Sequence, residues 1–341
     1  MPQSGLFRHF LIMKLGLPRD PQLSFLMLAN LLVIAAATAW SGGQFASIDN
    51  VQSMAGQLPE IGLLAIGVML TMISGNGGID LSGAAMANLA GVVGALLAPH
   101  LVSPDEAPLL FTTTFATLAI ATGVVGGALN GWLIARLGLT PILATLGTQL
   151  LFTGAAVVLT NGSAVRLGYV EPLSAIGNDM VLGLPISFML FLLATLVVGL
   201  VLSRTAYGFR LYLMGTNSKA ARYTGISPTR MLLATYILSS TLAASAGVLI
   251  ASRTASVKWD YGASYLLITV LITVMAGVRP SGGYGRMSCL FFSAVALQVL
   301  SSAFNLIGIS NFFRDCAWGL MLLLFLASSH FDFKRLFKPG N

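Results

Sequence analysis

Ser74-Gly75-Asn76-Gly77-Gly78-Ile79-Asp80-Leu81-Ser82-Gly83 interrupts what is otherwise continuous apolar sequence from Ile61 to Ala98. A helix that crosses a bilayer needs roughly 20 apolar residues, because the hydrocarbon core is about 30 Å thick and each residue rises about 1.5 Å. The flanks of this stretch approach that length on both sides. The three glycines permit backbone angles that stop a helix. Asp80 and Ser82 then precede a new apolar run, where a carboxylate is favoured at a helix start and Asp serves well as a cap. The stretch therefore predicts two spanning helices joined by a tight polar break, with Asp80 capping the second.

The rest of the chain follows the same pattern. Of its 341 residues, 56% are hydrophobic and 9% charged, and the mean hydropathy is +0.86. Soluble domains carry about 25% charged residues, so lipid is the environment this composition suits. A β-barrel would show alternating segments of roughly 10 residues. The sequence instead holds unbroken runs such as Met231 to Ile250. Ten spans are expected, at Leu23–Trp40, Leu58–Ile73, Gly83–Ala98, Leu109–Ala135, Pro141–Thr160, Pro185–Ser203, Met231–Ser252, Tyr265–Val278, Met287–Ile307 and Phe313–Ser328. The fold class is all-α and polytopic, a single transmembrane domain over residues 1–341 with no linker or soluble domain.

Charge orients the spans. With the N-terminus inside, the inner segments hold Arg8, Lys14, Arg19, Arg136, Arg204, Arg210, Lys219, Arg222, Arg230, Arg279, Arg286, Lys334, Arg335 and Lys338. The outer loops hold Arg166, Arg253, Lys258 and Arg314. This asymmetry obeys the positive-inside rule and places both termini inside. The net charge of +7 is thus explained by topology. Nucleic-acid binding is excluded for want of a basic patch with interleaved aromatics. The first span follows Arg8, Lys14 and Arg19 and ends near Ala37-Thr38-Ala39, which also fits a cleavable leader; the long basic lead favours a retained anchor. Cys289 and Cys316, without a CxxC, read as packing thiols rather than a disulfide or a metal site.

The polar residues inside this apolar chain are the candidates for chemistry. A buried charge costs about 2.5–3.5 kcal/mol at mid-membrane on insertion scales, so Asp80 needs a partner or water. Asn76, Asp80 and Ser82 fit a broken helix on a solute path, a device of transporters. Asn88, Asn130, Thr148, Gln149, Gln298 and Asn305 are polar groups within apolar runs, able either to bond across helices or to meet a polar solute. The glycines around Gly123-Val124-Val125-Gly126-Gly127-Ala128 are expected to let helices pack closely. The inner loop 204–230 should hold a short basic helix capped by Asn217, running from Ser218 through Lys219, Ala220, Ala221, Arg222 and Thr224, and ended by Gly225. It could dock a partner or rest on anionic lipid. His9, His100 and His330 are scattered, and no HExxH, GxSxG or phosphate-binding G-x-x-x-x-G-K-[ST] motif is present. No catalytic or metal residues are expected, and the chain is read as no enzyme. An ion-coupled transporter would need further intramembrane ionisable groups, of which Asp80 is the one clear candidate.

Several of these stretches, in this order, resemble the ribose-type permease family of bacterial ABC importers. Gly77-Gly78-Ile79-Asp80-Leu81-Ser82 matches its GGIDLS signature. Gly138-Leu139-Thr140-Pro141 with Thr145-Leu146-Gly147-Thr148 is similar to its P-F-I-x-T-L-G-T region. Tyr207-Gly208-Phe209-Arg210, Gly215, Asn217, Ala220-Ala221-Arg222 and Gly225-Ile226 resemble its cytoplasmic loop, and Leu249 to Arg253 and Ser281 to Gly285 also fit. Gly83-Ala84-Ala85 stands where the family has Val-Gly after its signature, and Arg279 and Pro280 are unusual in the later glycine loop. The resemblance implies a permease subunit in the bacterial inner membrane. A periplasmic sugar-binding protein would deliver a pentose, hexose or polyol to it. A second permease chain, identical or paralogous, would complete the path, and a separate ATP-binding cassette ATPase would hold ATP and magnesium. It makes residues 217–225 the coupling element. An amino-acid cargo is the alternative, since a related permease family carries branched-chain amino acids.

Overall fold

The computed structural model of the chain describes residues 20–330. Thirteen helices run through these residues: α1 Pro21–Trp40, α2 Ile48–Ile73, α3 Gly83–Leu101, α4 Pro108–Ala135, α5 Pro141–Thr160, α6 Glu171–Asn178, α7 Ile186–Arg204, α8 Ala206–Thr216, α9 Ser218–Tyr223, α10 Pro228–Thr254, α11 Tyr265–Met275, α12 Met287–Leu306 and α13 Asn311–His330. Two small antiparallel pairs accompany them, one between 165–166 and 256–257 and one between 180–181 and 184–185. Among the described residues, eight helices (α1 to α5, α7, α10 and α12) are long and apolar enough to cross a membrane. The chain is a polytopic all-α membrane protein. Arg8, His9, Lys14, Arg19, Lys334, Arg335 and Lys338 lie outside the described residues.

Every expected span meets a helix, but three boundaries differ. The helix expected from Leu58 starts ten residues earlier, because Ser47 accepts from the Asn50 amide and Asp49 sits in the first turn. The expected span Tyr265–Val278 is only 11 helical residues, about 16 Å of rise against a core of about 30 Å. It stops where Gly277 takes a φ of +78°. The expected outer loop 161–184 is built, since it contains α6 and strand contacts to the residues after α10.

Two helices form the centre. Of the apolar 18-residue stretches of α2 and α10, 83% and 67% of the residues are buried, against 11% for α1 and 22% for α7. The low values belong to helices whose apolar side chains face lipid. Without a hydrophobic drive between helices in lipid, close contact depends on small residues. Gly123, Gly127 and Gly131 repeat every four residues, hence on one face of α4, and press on α10. A Cβ added at Gly127 would lie 2.5 Å from the Tyr236 carbonyl oxygen, and one at Gly131 would lie 2.8 Å from the Leu233 Cα. Polar bonds hold α1 to the bundle: the Asn30 amide donates to the Phe292 carbonyl at 3.0 Å, the Gln22 amide donates to the Met275 carbonyl at 2.6 Å, and Asp20 pairs with Arg286. Cys289 is buried as a packing thiol, whereas Cys316 is exposed on α13, because its side of that helix has no neighbour in the bundle.

Candidate functional site

Two polar regions stand out in this apolar bundle, one at each end. The first begins at the break after α2. Ile73 ends that helix, and residues 74–78 turn back through Gly75, Asn76 and Gly77, all at positive φ. Three loops meet there backbone to backbone. The Gly77 amide donates to the Pro280 carbonyl at 3.0 Å, and the Gly283 amide donates to the Ile73 carbonyl at 2.9 Å. Gly215, at the end of α8, fits between them, since a Cβ there would stand 1.9 Å from the Ile73 oxygen and 2.5 Å from the Gly283 nitrogen. The Tyr212 hydroxyl donates to the Gly285 carbonyl at 2.7 Å. Burial raises its pKa above the ordinary tyrosine range, so it keeps its proton.

From this junction the chain leads into α9. Asn217 Oδ1 accepts from the Ala220 amide at 3.0 Å, and Gly225 leaves the helix at a φ of +82°. Ala221 is buried against the protein, while Lys219, Ala220, Arg222 and Gly225 are exposed. The capped basic helix thus presents two cations outward from a rigid base.

Four of the polar residues expected on a solute path lie together above the break. Asp80 Oδ1 accepts from the Ser82 amide at 3.0 Å and the Ser82 hydroxyl at 2.7 Å, and Oδ2 accepts from the Ser239 hydroxyl at 2.8 Å. The Asn130 amide donates to Ser82 Oγ at 2.8 Å, and Thr148 donates to Asn130 Oδ1 at 2.6 Å. This chain of bonds ties the break to α4, α5 and α10. Asp80 was expected to cap α3. It instead sits two residues before Ser82, the residue preceding Gly83, and fixes that turn rather than the helix amides. The void beside it is only about 10 Å³, room for one water at most.

The other expected residues disperse. Asn76 is exposed at the glycine junction after α2. The Asn88 amide donates to the Trp259 and Tyr261 carbonyls at 2.9 and 3.0 Å. Gln149, next to Thr148 but about 100° around the helix, is partly exposed and away from the network.

Gln298 and Asn305 belong to the second region, at the other end of the bundle. They border a polar cavity of about 390 Å³ between α2, the 261–265 turn, α12 and the start of α13. A second chamber of about 280 Å³ shares Gln57, Gln298 and Asn305 with it. The base of the cleft is an ion pair. Arg253 Nε donates to Glu60 Oε1 at 2.6 Å and its Nη2 to the Tyr261 hydroxyl at 2.7 Å, while the Tyr265 hydroxyl donates to Glu60 Oε2 at 3.1 Å. Glu60 is 1% exposed, a buried ionisable group inside the expected span Leu58–Ile73 that the sequence reading missed. Its signal was a carboxylate three residues into the Leu58 run, with Arg253 just past the end of another. Tyr261, Tyr265 and Trp318 were also missed, because aromatic residues at span ends are common.

A family model described as the permease component of the branched-chain amino acid transport system matches residues 50–327. The chain is similar to the ribose import permease protein RbsC of Bacillus subtilis, at 32% identity over 81% of this chain and 83% of that one. It is 30% identical to the L-arabinose transport system permease protein AraH of Escherichia coli, over 87% of each. It is 28% identical to the autoinducer 2 import system permease protein LsrD of Yersinia enterocolitica, over 81% of this chain and 82% of the relative.

Proposed function

The chain belongs to the family described as the permease component of the branched-chain amino acid transport system, and from that membership we propose that it is the membrane-spanning subunit of an ATP-driven importer for a small sugar. The relatives named above import ribose, L-arabinose and autoinducer 2, which supports a sugar over the amino acid in the family's description. The observation that carries the proposal is α9, a capped cationic helix set on a glycine junction that reaches the break at Gly75. A force applied there passes through backbone contacts to the Asp80 network and the long helices it joins.

In this reading residues 204–230 form the cytoplasmic coupling loop of a single permease domain, with Asn217, Ala221 and Gly225 holding the helix and Lys219, Ala220 and Arg222 touching the partner. The crossings number ten, the short α11 being completed by the non-helical residues after it, with both termini inside, in the bacterial inner membrane. ATP and magnesium sit on the partner ATPase, a binding protein brings the sugar, and a second permease chain completes the path. Asp80, Ser82, Asn130 and Thr148 brace the break, while Gln298 and Asn305 face the solute.

The test is charge reversal on the exposed face. Lys219→Glu with Arg222→Glu should leave the permease folded but abolish sugar-stimulated ATP hydrolysis in the assembled transporter. Ala221 is unsuited, being buried. Transport by the doubly reversed variant at the unmodified rate would refute the coupling role.

A further inference from the structure

The cleft beside Gln298 points to a ligand. Gln298 is 7% exposed and borders both chambers, yet its amide makes no hydrogen bond to any described residue. An amide carries two donors and an acceptor, and those of Gln298 are left to the cavity it lines. The cavity volume falls within the usual range for small-molecule pockets. We infer that this cleft is a binding station for a neutral monosaccharide, held by Gln298 with Gln57, Tyr261 and Asn305.

The charge of the wall argues for a neutral ligand. Arg253 is committed to Glu60, and Asp315 accepts from Ser264 at 3.2 Å. Arg314 donates to Asn305 Oδ1 at 2.6 Å. Each of these four charged groups already has a partner, so none is free to pair with the carboxylate or ammonium of an amino acid. Amide and hydroxyl groups match sugar hydroxyls, and Tyr261 and Trp318 add aromatic surface to the cavity wall. The inference rests on the sugar-importer reading and adds where on this chain the sugar stops.

Equilibrium binding to the full chain in lipid nanodiscs tests it, with radiolabelled D-ribose and L-arabinose as probes and L-leucine as competitor. At least one sugar should bind saturably, and leucine should not displace it. Gln298→Leu should weaken binding about tenfold, the equivalent of one net hydrogen bond, while leaving the melting temperature of the empty protein close to that of the unmodified chain, because the amide faces the cavity and bonds no described residue. A merely structural Gln298 would instead lower that temperature. Gln298→Met serves as a second variant of similar length, and Gln149→Leu should bind like the unmodified chain. Absence of saturable binding, or unweakened binding by the stable Leu or Met variant, would overturn the site. If the assembled transporter still imported sugar in that case, the importer reading would stand. If it imported neither sugar, that reading would fall, and the site with it.

Discussion

Asp80 is 2% exposed and, in the described structure, is met by three donors from Ser82 and Ser239 rather than by a cation. Asp80→Ala would strand those three donors, at a cost of about 2–4 kcal/mol. A lowered melting temperature in detergent, with Asp80→Asn falling between, is the expected result. Equal melting of all three would show the network to be idle. The importance of Asp80 was legible because a charge in an apolar run must be compensated. Its partner Ser239 was not, since one hydroxyl among many on α10 carries no mark of which neighbour it faces. Glu60 and Arg253, 193 positions apart, were hidden for the same reason: pairing across a bundle depends on helix rotation and register.

Among elements, the α4–α10 contact shows how local composition becomes packing. Gly127→Val would drive a branched side chain into the α10 backbone, and overpacking of this kind costs about 1–3 kcal/mol or more. Gly147→Val meets open space on α5. The first should lose its folded, monodisperse form on size exclusion and the second should keep it. Identical behaviour would mean that the glycine ridge does not set the helix spacing. That glycines would pack was readable from the sequence. Which of them face α10 was readable only in part, because the four-residue repeat gives the face but not the partner. The α9 cap at Asn217 and exit at Gly225 were legible because they are chemistry of neighbouring residues. The short α11 was not, since its apolar run continues past the point where Gly277 turns the backbone.

At the scale of the molecule, hydropathy gave the class, because it is a sum that survives local errors, and the basic residues predict the orientation. Fusions of a side-sensitive reporter after Ser103 and Ser218 should therefore report opposite faces of the membrane; the same face for both would overturn the topology. The architecture then implies a division of labour, with a polar cleft at one end, a rigid cationic helix at the other, and a braced break between them. Proteoliposomes containing this chain with its ATPase and binding protein give the most direct measurement. Radiolabelled sugar should accumulate only when ATP reaches the side that bears α9. Accumulation without ATP or without the ATPase would contradict the account.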